Sequence, residues 1–185
     1  GRGQSLSAIG QDEDAISAFD RALTLDSTYS EAAYHKGLAL FRSGKNQDAI
    51  KAFDYVLEHV PENPLAHYNK GLVLNATGKY ERAIRSFSQA LNSDPSLTDA
   101  LYQTGLAYAG LGRHEKALQS FDKVLELTPL NATVSFMRAQ SLVKLHRQDD
   151  ALQALESSLK LDSSNADGWL LKGTVLFELE HFSEA

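Results

Sequence analysis

Phenylalanine stands at Phe19, Phe53, Phe87 and Phe121, evenly spaced along the chain. Alanine keeps the same interval through Ala15, Ala49, Ala83, Ala117, Ala151 and Ala185. Glycine gives two more ladders, Gly3, Gly37, Gly71, Gly105, Gly173 and Gly10, Gly44, Gly78, Gly112, and proline a further one at Pro61, Pro95 and Pro129. Several ladders sharing one period mean that a single supersecondary unit is repeated and stacked, because one such unit cannot bury its apolar face alone.

One period shows what the unit is. In Ser30–Asn63 the segment Glu31–Ser43 has apolar residues at helical spacing, and Gly44 supplies the left-handed residue that ends a helix. The segment Asn46–His59 is predicted as a second helix, with Ala49, Ile50, Phe53, Val56 and Leu57 on one face, and Pro61 stops it. The unit is therefore a hairpin of an A helix and a B helix. Gly37 and Ala49 are small enough for the two backbones to approach closely, with Phe53 filling the space beside them. A glycine inside helix A costs about 0.5–1 kcal/mol against alanine, so its recurrence requires a packing gain of at least that size. Carboxylates open helix B throughout, at Asp12, Glu13, Asp14, Asp48, Glu81, Glu115, Asp149 and Asp150. Their recurrence in the first turn fits the helix dipole better than a general acid and base.

The Gly37, Leu40, Ala49, Phe53, Pro61 pattern, repeated in register, resembles the tetratricopeptide repeat. The resemblance implies an all-α fold, a right-handed α-solenoid of antiparallel helix pairs forming one array. Its units are 1–29 (partial), 30–63, 64–97, 98–131, 132–165 and 166–185 (partial), about 185/34 or 5.4 repeats. Both ends fall inside a unit and no capping helix is evident, so the expectation is a piece of a longer array. The unit 132–165 departs most from the pattern, with Ala139, His146, Leu155 and Ser163 at the glycine, turn, phenylalanine and proline positions. The turns at His146 and Glu180 are expected to be rearranged or strained.

The resemblance further implies that the A helices line a concave groove that takes a protein or peptide segment. Carried over by position, the groove residues are Tyr34, His35, Leu38 and Phe41, then Tyr68, Asn69, Leu72 and Asn75. They continue with Tyr102, Gln103 and Leu106, then Phe136 and Gln140, with Met137, Ala109, Val143, Leu171 and Phe177 at related registers. An aromatic ladder with amides beside it could hold an extended peptide, although the tyrosines could equally pack between neighbouring A helices. Family members that clamp a C-terminal carboxylate use lysine, asparagine and arginine at five positions, where this chain has Tyr34, Leu38, Asn69, Asp99 and Gln103. Only Asn69 matches, which argues against a clamp of that kind.

Other classes of function find little support. A net charge of −6 argues against a nucleic-acid backbone as the main partner. The absence of cysteine removes disulfides and thiolate metal sites and fits a reducing, cytoplasmic setting. No apolar run is long enough for membrane insertion. The six histidines show no ligand spacing, so no metal is expected; Gly105–Gly112 (GLAYAGLG) follows no strand, and no cofactor is expected either. The glycosylation-like triplets at Asn75 and Asn131 are read as coincidence. Lys70, Lys79, Arg82 and Arg85 make the unit 64–97 basic, either as a solvated surface or as a patch for an acidic partner. The leading expectation is a non-enzymatic scaffold. Two alternatives are end-to-end homo-oligomer formation through apolar residues such as Trp169, Leu170, Phe177 and Phe182, and the targeting region of a larger enzyme.

Overall fold

The computed structural model describes residues 11–183, with side chains described as far as Glu180. Ten α-helices and no strand occur among them: α1 (Asp12–Leu25), α2 (Ser30–Arg42), α3 (Asn46–His59), α4 (Pro64–Ala76), α5 (Tyr80–Ser93), α6 (Thr98–Gly110), α7 (His114–Leu127), α8 (Ala132–Lys144), α9 (Gln148–Leu161) and α10 (Ala166–Ser183). The fold is an all-α solenoid of helical hairpins, in which even-numbered helices are A helices and odd-numbered ones B helices. The chain divides after Ala100, within α6, into two compact units. The expected positions Gly3, Gly10 and Ala185, and the side chain of Phe182, lie outside the described residues.

Local chemistry sets the helix ends. Asn63, Asn131 and Asn165 precede A helices, and each side chain accepts a backbone N–H from the first turn: Ala66 at 2.9 Å, Val134 at 3.0 Å and Gly168 at 3.0 Å. Pro64 occupies the first helical position of α4, where its missing N–H costs nothing. The hairpin turns use Gly44, Gly78 and Gly112, with φ of 77°, 71° and 70°.

His146 adopts the same left-handed conformation, with φ of 56°. Its N–H donates to Val143 O at 3.0 Å and the Arg147 N–H to Leu142 O at 3.0 Å, matching Gly44 to Phe41 and Lys45 to Leu40. The turn is therefore strained rather than rearranged. His146→Gly is expected to raise stability by about 1 kcal/mol, because the exposed imidazole is dispensable to packing and glycine removes the Cβ clash. Urea unfolding followed by circular dichroism measures it, and an unchanged midpoint contradicts it. At Glu180 the turn position is rearranged into helix. α10 runs on to Ser183, since glutamate is a good helix former and nothing there favours a left-handed residue.

The phenylalanine ladder is the core. Phe53, Phe87 and Phe121 are completely buried, and each ring lies over its own hairpin's A-helix glycine. A Cβ on Gly37 would fall 2.7 Å from Phe53 Cε1, and one on Gly71 would fall 2.5 Å from Phe87 Cε1. The ring and the glycine are thus one feature, a notch and its filling. Where the glycine becomes Ala139, the ring becomes Leu155, and both are fully buried.

Ion pairs tie four of the five A helices to the B helix before them, the exception being α6, where the same registers hold Thr104 and Ser88. Lys36 meets Asp20 at 2.5 Å, Lys70 meets Asp54 at 2.5 Å, Arg138 meets Asp122 at 2.7 Å and Lys172 meets Glu156 at 3.1 Å. The acid and the base recur with the same period as the phenylalanines, and so form a ladder of their own.

Candidate functional site

In the first unit the A-helix face is built from α2 and α4. Tyr34, Leu38, Phe41, Tyr68 and Leu72 are all half-buried and pack against the core beneath. The Tyr34 ring sits 6.0 Å from Phe53 and the Tyr68 ring 6.0 Å from Phe87, each leaning on its hairpin's central ring. Burial raises the phenol pKa of both, so both stay neutral. Asn69 is only 9% exposed. Its amide donates to Tyr34 Oη at 3.0 Å and to Leu65 O at 2.8 Å, so it fastens α4 to α2. His35 stacks on Phe19 at 5.9 Å; burial lowers its pKa, against the opposing pull of Glu31. Asn75 is half-buried and has a contact of its own.

In the second unit the A-helix face encloses a cavity of about 400 Å³. Leu106 and Ala109 of α6, Met137, Gln140 and Val143 of α8, and Leu171 of α10 form most of its wall. Six residues expected in the groove, Leu106, Ala109, Met137, Gln140, Val143 and Leu171, therefore meet in one hollow. Tyr102 lies beside it, half-buried on Phe121 at 6.2 Å, with its pKa also raised by burial. Gln103 is half-buried and engaged. Phe136 differs from the tyrosines at its register, being 8% exposed and packed in a cluster with Leu118, Leu142 and Leu155. That position offers a ligand little surface. Lys144 also lines the cavity, one helical turn after Gln140, and this spacing could have marked it from the sequence.

The cavity wall is mainly apolar, with His114 and the buried Ser141 as polar groups within it and Gln140 and Lys144 at its edge. Among the described residues no three His, Asp or Glu side chains gather as a metal site. No described helix is long and apolar enough to cross a membrane.

Known structures share this architecture. The crystal structure of MamA superposes with a TM-score of 0.84 at 21% identity, covering 89% of this chain and 96% of that one. MamA 41-end from Desulfovibrio magneticus RS-1 gives 0.83 at 26% identity, covering 89% and 93%. YrrB, described as a TPR protein with an unusual peptide-binding site, gives 0.82 at 24% identity, covering 92% and 88%. No curated protein matches the sequence. A family model described as tetratricopeptide repeat matches residues 1–44, 34–97, 75–132 and 136–185. With nearly its whole length matched in four segments and the hairpin, notch and turn present in the structure, the chain belongs to the tetratricopeptide repeat family.

Proposed function

We propose that this chain is a non-enzymatic protein-interaction module that holds an apolar segment of a partner protein on its A-helix face. The observation that carries the reading is the cavity under Leu106, Met137, Val143 and Leu171, whose size suits one large apolar side chain and part of a second. Gln140 and Lys144 are exposed at its edge, where they would meet the main chain or a carboxylate of the segment. YrrB, with its peptide-binding site, supports this use of the fold by analogy. A peptide library displayed on phage and selected against the chain should enrich leucine, methionine or phenylalanine at helical or alternating spacing. Gln140→Trp, which fills the mouth from an exposed position, should weaken a selected peptide about tenfold or more while helicity is unchanged. Equal binding by Gln140→Trp would place recognition elsewhere.

A second reading, self-association through α10, has its own observation. Leu170 is 72% exposed and Phe177 61%, with Trp169 and Leu176 also exposed on the same helix. Mass by light scattering that rises with concentration would favour it, and a constant monomer mass would dismiss it.

A further inference from the structure

The chain contains an internal control for its surface charge, because the same groove is built twice in the first unit with different residues. The earlier copy lies between α1 and α3 with α2 as its floor. There each cation has an acid: Lys36 with Asp20 at 2.5 Å, Lys45 with Glu13 at 2.7 Å and Lys51 with Asp48 at 2.9 Å. In the later copy, against α4 and α5, the equivalent positions lie one repeat further on. Lys70 keeps Asp54 at 2.5 Å. Lys79, however, has Gln47 where Lys45 has Glu13, and Arg85 has Arg82 where Lys51 has Asp48. Three cations against three acids become four against two, Asp54 and Glu58.

The placement of Arg82 is locally unfavourable. It sits in the first turn of α5, where the helix dipole repels a cation and where Asp14, Asp48 and Asp150 stand in other B helices. Lys116 breaks the same rule but lies 5.7 Å from the Tyr108 ring centroid. The residue in the register of Tyr108 beneath Arg82 is Leu74. Glu81 is engaged by a contact of its own, and Glu58 of α3 stands at the register of Thr24. A local rule broken without compensation is the mark of a site kept for something other than stability.

We propose that the groove lined by Lys70, Leu74, Arg82, Arg85 and Gln89 docks an acidic segment of a partner protein. Arg82 and Arg85 are exposed on one helix face at i and i+3, so their guanidinium forks can take two carboxylates of one chain. Leu74, 1% exposed, closes the groove from beneath, so recognition there rests on charge. The net charge of −6 over the chain disfavours a long polyanion such as a nucleic acid, which would extend past the groove.

The test is fluorescence anisotropy of a labelled peptide of alternating glutamate and leucine with the whole chain, at about 50 mM and about 300 mM salt. Binding should be present at low salt, and the double substitution Arg82→Gln/Arg85→Gln should weaken it about tenfold. Arg82→Asp, which restores the residue found at Asp48 and can pair with Arg85, should weaken it at least as much without loss of helicity. Lys51→Gln, in the balanced groove, should leave it unchanged. Absence of binding at low salt overturns the proposal. So does an equal loss with Lys51→Gln, which would mean diffuse attraction, or equal affinity for a single-stranded oligonucleotide of the same charge, which would mean a general polyanion surface.

Discussion

Phe87→Ala should lower the unfolding free energy by about 3–5 kcal/mol, among the largest effects expected of any single substitution in this chain. The ring is completely buried, covers the Gly71 notch and supports Tyr68 from below. Removing it opens a cavity between two helices that are in contact only because Gly71 carries no side chain. The preceding hairpin cannot close that space, since its Phe53 already fills the notch at Gly37. In a stacked array each hairpin supports its neighbours, so the loss should also reduce cooperativity. Urea unfolding followed by far-ultraviolet circular dichroism would show both. A loss under about 1 kcal/mol would mean that the ladder is not the core.

The second large effect is a coupling. Gly105→Ala puts a methyl group into the Phe121 ring and should cost about 1–3 kcal/mol, even after the gain in helix propensity. Phe121→Leu removes ring volume and should cost about 1–2 kcal/mol. Together they should cost less than the sum by at least about 1 kcal/mol, because leucine vacates the space that the methyl needs. The chain already contains this double replacement as Ala139 with Leu155, both fully buried in one core cluster. Leu155→Phe should accordingly destabilise the protein although it restores the residue found in the other hairpins. Strict additivity in the cycle would separate the glycine from the ring and remove the notch as the reason for the period.

Much of this fold is legible in the sequence because the period samples each structural role several times. Asn46–His59 is a helix at the boundaries expected of it, and Gly44, Gly78 and Gly112 make the turns their spacing implies. His146 holds its turn without glycine because α8 and α9 are tied across it by the same backbone hydrogen bonds as elsewhere. At Glu180 the period suggests a turn, but α10 continues through that position. The ladder of Asp20, Asp54, Asp122 and Glu156 with Lys36, Lys70, Arg138 and Lys172 is equally present in the sequence. It is hard to read there because charged residues at single positions look like solvated surface. Only the contact between one helix and the next gives them a role.

The site is legible in part. Repeat spacing brings Leu106, Ala109, Met137, Gln140, Val143 and Leu171 to one cavity, as positions on equivalent A-helix faces should come. It does not tell a phenylalanine from a tyrosine at the same register. Tyr34, Tyr68 and Tyr102 each carry a hydroxyl that needs a partner and stop half-buried. Phe136 has none, and Leu155 leaves more room than the phenylalanine of other hairpins, so the ring sinks into the core. Asn69 illustrates a different limit. Its amide reads as a ligand for a peptide main chain, yet its N–H groups are used on Tyr34 and Leu65.

The measurement that bears most directly on the proposed recognition is methyl-labelled nuclear magnetic resonance of the chain with a library-selected peptide. The expected result is chemical-shift change and peptide contacts at Leu106, Ala109, Met137, Val143 and Leu171, with Val56 and Val73 of the first unit unmoved. Contacts confined to the outward faces of α7 and α9, with the cavity methyls unchanged, would contradict recognition on the A-helix face.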